Sequence, residues 1–345
     1  MSQRFFALTL GATVLLLAAL TPLPAEGQAR PTASATWTAP RTGDGQPDMQ
    51  GVWNFGTLTP LERPADLTGR THLTDEEVAA IEKKADLDAQ KRVIDTMDHA
   101  KYAFDKRTAL MVDPPDGKWP PLTPGGRERS RAHISRLARA PNGPEDRSTW
   151  DRCILGWNSG PPMIPAVPVG YNQNVQIFQA RDYFVIFNEQ VHNARIVPLD
   201  GRPHGTVRQW AGDSRGRWEG ATLVVETTNF MPFGTGTITL RNSLRVVFDE
   251  NLRLVEKFTR VNRDTLLYEF TINDPTIWTK PWTMGVPMTM TRDKIFEYAC
   301  HEANYAMKNM LSGARAVEAS GKSQGHCYSF DFDCEDAKKF EEEGK

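Results

Sequence analysis

The chain has 345 residues, with 41 lysines and arginines against 43 aspartates and glutamates, for a formal net charge of −2. That balance argues against a dedicated nucleic-acid binder, whose affinity would come mostly from a basic surface. Hydrophobic residues at 39% and charged residues at 24% describe an ordered globular protein, and 26 glycines with 24 prolines suit short strands and turns better than an all-helical chain.

Arg4 precedes an uncharged apolar run from Phe5 to Leu20, and small residues follow at Ala25 and Ala29. This is the layout of a secretory signal peptide over residues 1–29. The run falls short of the ~20 residues that a membrane span needs, and no later stretch is long and apolar enough. The expectation is a periplasmic or secreted protein with no integral membrane span. An even set of four cysteines suits that compartment. The expected pairs are Cys153–Cys300, tying the start of the β region to its end, and Cys327–Cys334, closing a short loop in the tail. A zinc site is not expected, since no C-x-x-C spacing occurs.

Residues 30–150 read as an irregular N-terminal extension carrying two helices, with one strand-like island at Gly51–Phe55. Thr74-Asp75-Glu76-Glu77 has the capping-box form, and Val78, Ile81 and Ala85 follow at helical spacing, which predicts a helix over about 75–92. A second helix is expected from Gly126 to Ala140. Its arginines Arg127, Arg129, Arg131, Arg136 and Arg139 form either a solvated face paired with acids or a phosphate- or lipid-facing patch. Pro114-Pro115, Pro120-Pro121 and Pro124 mark an extended connection between the helices.

From Asn174 onward the pattern changes to period two. Strands are expected at Gln176–Gln179, Tyr183–Asn188, Ala194–Leu199, Thr206–Trp210, Arg217–Glu219, Thr222–Asn229, Ser243–Phe248, Leu252–Val261, Thr265–Asn273, Thr283–Thr291 and Ile295–Cys300. Short turns imply antiparallel neighbours. The predicted fold is therefore mainly β, a closed antiparallel barrel of about ten strands over 151–318. A short helix from Asn304 to Val317 closes it, and a charged tail occupies 319–345. Closure would remove the exposed edges. Glu256 shares a strand face with Leu254 and Phe258, and such mixed faces suit a lumen holding a few polar groups. The alternative is an outer-face pair of Glu256 with Arg260.

Three clusters could carry chemistry. Asn188-Glu189-Gln190-Val191-His192-Asn193 sets a carboxylate and an imidazole at a strand end. Gly212–Gly220 is a glycine-bounded loop in which Asp213, Arg217 and Trp218 could anchor substrate; it lacks the G-x-x-x-x-G-K of a phosphate cradle. Tyr298–Tyr305 holds His301, Glu302 and Tyr305. His192 and His301 are candidate proton-transfer groups, with Glu189 and Glu302 orienting them. No metal is expected, because no H-x-H or H-E-x-x-H spacing occurs, and no cofactor is implied. Trp210, Trp218, Trp278 and Trp282, with Met284, Met288 and Met290, could line an aromatic pocket or simply pack the core.

Asp44-Gly-Gln-Pro-Asp-Met-Gln-Gly-Val-Trp-Asn54, Gly212-Asp-Ser-Arg-Gly-Arg-Trp-Glu-Gly220 with Thr222-Leu-Val-Val-Glu-Thr-Thr-Asn-Phe230, and Glu297-Tyr-Ala-Cys-His-Glu-Ala-Asn-Tyr305 resemble motifs of a large family of exported, functionally unassigned proteins of soil bacteria. The resemblance implies export and a lipocalin-like β architecture, and brings no activity. The sequence thus leads to an exported, cofactor-free acid–base enzyme of lyase, isomerase or hydrolase type, acting on a small apolar or aromatic molecule in a barrel pocket. A non-catalytic carrier of a hydrophobic ligand and a cell-envelope interaction protein are the alternatives.

Overall fold

The computed structural model describes residues 37–90, 105–156, 159–165, 172–232, 236–239 and 245–321. The expected signal peptide and the Cys327–Cys334 pair lie outside them. The architecture is mainly β. One ten-stranded antiparallel sheet runs in the order β5 (Ala194–Pro198), β4 (Tyr183–Asn188), β3 (Asn174–Ala180), β1 (Gly51–Asn54), β12 (Trp282–Thr291), β11 (Thr265–Asn273), β10 (Arg253–Arg260), β7 (Thr222–Thr228), β6 (Asp213–Glu219). Strand β2 (Met111–Asp113) pairs beside this path with β12, while β8 (Gly236–Thr239) and β9 (Arg245–Phe248) form a separate hairpin.

Backbone pairing does not close this sheet: β5 and β6 are its two ends. The ends nevertheless touch through side chains. A Cβ placed on Gly216 of β6 would lie 2.6 Å from Leu199 Cδ2 and 2.9 Å from Val197 Cγ1, so glycine is what lets β5 lie against β6. The N-terminal extension is no separate appendage. Its island β1 sits in mid-sheet, pairing Trp53 with both Val175 and Met290. Two expected strands are absent. Thr206–Trp210 contributes only a bridge from Gln209 to Phe230, and Ile295–Cys300 is irregular. Their alternation is not matched by backbone pairing beyond that one bridge.

The inner face around Phe258 is mostly apolar and closely packed. Phe258 packs on Phe184 at 5.7 Å and on Tyr268 at 4.9 Å between ring centres, and Tyr268 packs on Phe270 at 5.4 Å. These rings and Trp282 have no accessible surface at all, and the wall of even a sealed water-sized void would show some. Trp278 and Trp282 pack on each other and on Trp119, so this part of the aromatic supply is core.

Helix α1 (Asp75–Gln90) starts at the predicted capping box. Glu77 N–H donates to Thr74 Oγ1 at 3.3 Å, Thr74 N–H donates to Glu77 Oε2 at 2.8 Å, and Arg70 forks onto the same carboxylate at 2.6 and 3.0 Å. The Arg70 hydrogen bonds, then the Thr74 N–H, hold the Glu77 carboxyl down from 4.5 to about 2. Because the folded value is the lower one, the stability it confers is complete above pH 4.5 and is lost as pH falls towards 2. A carboxyl-resolved NMR titration should therefore show Glu77 titrating near 2, with the first turn of α1 fraying in step. A Glu77 midpoint near 4.5 would contradict the box.

Helix α2 (Pro124–Ala138) opens on Thr123, whose Oγ1 accepts from Gly126 N–H at 2.9 Å. Its last carbonyls are met by the buried guanidinium of Arg147, which donates to Leu137 O at 2.7 Å and Arg139 O at 2.8 Å. Arg129 pairs with Asp249 at 2.5 Å and Arg139 with Asp146 at 3.2 Å, the acid-paired reading of the arginine-rich face. A third helix, α3 (Ala306–Ala319), lies where the sequence placed it. Among the described residues no helix is long and apolar enough to cross a membrane.

Candidate functional site

Strand β4 points Phe184, Ile186 and Asn188 to the inner face and then stops in a 3-10 turn, Gln190–His192. Val191 and His192 both sit in the left-handed region, at φ 60° and 51°. A β-branched residue there is strained, and such strain collects at functional turns. Asn188 N–H donates to Asn193 O at 2.9 Å, so the two asparagines face each other across the turn.

Glu189 is buried and wired to three strand ends. Its Oε2 accepts from Asn174 Nδ2 at 2.9 Å, Asn174 Oδ1 accepts from Asn54 Nδ2 at 2.9 Å, and Asn54 Oδ1 accepts from Gly56 N–H at 2.9 Å. Glu189 Oε1 accepts from Phe296 N–H at 3.2 Å. Gln190 presses on the backbone of Gly156, where a Cβ would lie 2.0 Å from Gln190 Oε1.

Residues 292–305 form an irregular strap from β12 to α3. Beyond its flanking elements β12 and α3, its ties include Phe296 N–H to Glu189, the Cys153–Cys300 disulfide, and Asn304 Nδ2 to Cys153 Sγ at 3.2 Å. The disulfide is the predicted one, with Cα atoms 5.7 Å apart.

Within Asn188–Arg195, buried polar atoms lack hydrogen-bond partners: Asn188 Nδ2 and Oδ1, His192 Nε2, Asn193 Oδ1 and Arg195 Nε. Native folds leave few such atoms, and each costs about 1–3 kcal/mol unmet. Arg195 stands opposite Ile186 on the inner face. Its two Nη atoms fork onto Glu256, Nη2 at 2.8 Å from Oε1, and Tyr268 Oη donates to Glu256 Oε1 at 2.7 Å. Burial, and then the Glu256 carboxylate, push the Tyr268 phenol well above its usual range, so it stays a donor. Glu256 is therefore buried inside rather than on the outer face, and its partner is Arg195 rather than Arg260. Arg195 was missed by sequence reasoning; its alternation with Val197 on one strand face was the available signal.

The other expected site residues are scattered. His301 lines an open hollow of about 370 Å³ with Asp151, Arg152, Asn304 and Met307, beside the disulfide. His192 is not among that lining, so the structure does not show the two histidines sharing a cavity. Glu302 and Tyr305 are exposed on the strap. Asp213 is already occupied, accepting from Gly205 N–H at 2.8 Å and Arg215 Nη1 at 2.5 Å, with His204 Nδ1 at 3.2 Å. Arg217 bridges Glu219 and Glu226 on the surface, each at 2.8 Å, while Trp218 points to the opposite face of β6 and packs on the core. Alternation along a strand separates Trp218 from Asp213 and Arg217.

The sequence reading excluded an α/β-hydrolase for want of a G-x-S-x-G elbow, but Gly212-Asp-Ser-Arg-Gly216 does have that spacing. It is not one here: Ser214 lies within an antiparallel strand, buried, with Oγ 2.9 Å from Thr227 Oγ1, and no helix follows. Among the described residues no three His, Cys, Asp or Glu side chains come together as a metal site.

No protein-family model, curated protein or solved structure matches the chain.

Proposed function

We propose that this is an exported protein that binds a small, largely apolar or aromatic molecule at the β4–β5 end of the sheet and acts on it by cofactor-free acid–base chemistry. The observation that carries the reading is the cluster of unpartnered buried polar atoms on Asn188, His192, Asn193 and Arg195, next to the buried Glu189 carboxylate. Polar atoms left unmet in one place are complementary to something that meets them. Glu189 accepts a proton from the bound molecule and His192 Nε2 supplies one, an exchange of lyase or isomerase type. The strap, whose Phe296 N–H bonds to Glu189, is the element that lifts to admit the molecule.

Export is supported by the Arg4 and Phe5–Leu20 pattern, by the disulfide, and by the motif resemblance. Sheet ends in side-chain contact support a nearly closed, lipocalin-like barrel. A carrier is the second reading, favoured by one observation: both Glu189 oxygens already accept hydrogen bonds within the fold.

Native mass spectrometry on the protein with its retained small molecules, in the wild type, Glu189→Gln and His192→Ala, separates these. The enzyme reading expects one bound molecule that the wild type converts, with conversion falling about 10²–10⁴-fold in either variant. A molecule retained unchanged by all three makes the protein a carrier, and no retained molecule in any of them counts against the site.

A further inference from the structure

The open hollow of about 370 Å³ beside the disulfide has no part in the reading above: none of Asn188, Glu189, His192, Asn193 or Arg195 lines it. Two segments wall it. One is the turn at 148–155, held by Cys153 N–H donating to Trp150 O at 2.9 Å and Ile154 N–H to Thr149 O at 2.8 Å. The other is the end of the strap and the start of α3, which contribute His301, Asn304 and Met307. The Cys153–Cys300 disulfide fastens the two walls together, and Arg152 and His301 adjoin its two ends in sequence. The cysteine Cα atoms are 5.7 Å apart, so one chain step on each side leaves the Cα atoms of Arg152 and His301 at most about 13 Å apart.

Two polar side chains of the lining are already engaged. Asp151 Oδ2 accepts from Ser148 N–H at 3.2 Å and from Ser148 Oγ at 2.9 Å. Asn304 Nδ2 donates to Cys153 Sγ at 3.2 Å, and its Oδ1 accepts from Ala306 N–H at 3.1 Å. Arg152 and His301 are not engaged: among the described residues their side chains make no hydrogen bond or ion pair. The Arg152 guanidinium lies 5.3 Å from the centre of the Trp210 ring. That ring offers no oxygen acceptor, so the guanidinium donors stay free for one.

A permanent cation and an imidazole, both accessible and both without an acceptor, call for an anion. The planar guanidinium fork matches a carboxylate, which it can hold by two parallel hydrogen bonds. Ile154 and Met307 add apolar wall, and Met307 supplies a polarisable thioether of the kind that packs well on rings. The volume stands at the low end of small-ligand pockets, which run from about 300 to 1,000 Å³.

We propose that this hollow binds a small carboxylate with an apolar or aromatic body. The carboxylate bridges Arg152 and His301, and the body lies on Ile154 and Met307. The disulfide sets the spacing of the two head-group residues. This site is separate from the β4–β5 cluster, so either can fail while the other stands.

Titration of the full-length, disulfide-bonded protein with benzoate, benzamide and inorganic phosphate, followed by calorimetry and NMR, tests this. Benzoate should bind more tightly than either of the others by about tenfold or more, the worth of a charge-assisted fork. It should shift the Met307 methyl and His301 ring resonances and leave those of His192 in place. Arg152→Gln should bring benzoate down to the affinity of benzamide, and His301→Ala should weaken it several-fold. Both positions are solvent-accessible, so both variants should fold. Benzamide binding as tightly as benzoate overturns the inference, and so does phosphate matching it, because the apolar body then plays no part. Benzoate that is indifferent to both substitutions, that shifts His192 and not His301, or that does not bind at all also overturns it.

Discussion

Glu256→Leu alone is expected to destabilise the fold by about 3–5 kcal/mol, because it leaves the Arg195 guanidinium buried without its counter-charge. The reciprocal change, Arg195→Met, strands the Glu256 carboxylate with Tyr268 as its remaining donor and should cost a similar amount. Desolvation makes a buried pair contribute little net, whereas one charge without the other is costly. The double substitution Arg195→Met with Glu256→Leu should therefore recover most of the loss, to within about 1–2 kcal/mol of the wild type, since two apolar side chains can fill the space. Urea unfolding of the four proteins reads this as a double-mutant cycle. Additive losses, or single losses below about 1 kcal/mol, would show that the pair is not the cross-brace from β5 to β10 described above.

The second large effect concerns the disulfide. Cys153–Cys300 closes a loop with a sequence separation of 147 residues. Restricting the unfolded chain by a loop of that size is worth about 5 kcal/mol on chain entropy, with measured losses usually about 2–5 kcal/mol. Replacing both cysteines by serine should lower stability in that range, read by denaturant unfolding. The change should also be local, because the strap then keeps only the Phe296–Glu189 bond among the ties described above. Amide hydrogen exchange at Tyr298–Asn304 should rise well above that in β10 and β11. Exchange at Tyr298–Asn304 no faster than in β10 and β11 would mean the disulfide does not hold the strap locally.

Much of the scaffold could be read from alternation and local chemistry. Tyr183–Asn188, Thr222–Thr228, Arg253–Arg260 and Thr265–Asn273 are strands where period two placed them, and Thr74 and Glu77 announced the start of α1. What failed was long-range. Nothing in Gly51–Asn54 indicates that it would pair with residues near 175 and 290, and Met111–Asp113 is too short to show a period. Ile295–Cys300 shows the converse: alternation alone does not give a strand.

The site was legible only in part. Glu189 and His192 stood out as a carboxylate and an imidazole at a strand end, and the same six-residue string contained Asn188 and Asn193. Arg195 did not stand out, because its partner Glu256 lies 61 residues away and only the curl of the sheet brings them together. Asp213, Arg217 and Trp218 looked like one loop. Folding put them into a strand, where alternation divides them between two faces.

A crystal structure of the purified protein at a resolution that shows ordered water tests the central claim most directly. Density between Asn188, Asn193 and Arg195 that extends beyond a single water, and that contacts Asn188 Nδ2 and Arg195 Nε, is the predicted result. Should those atoms instead be met by side chains of the protein itself, with no room left between them, the β4–β5 end is ordinary core and the functional assignment falls.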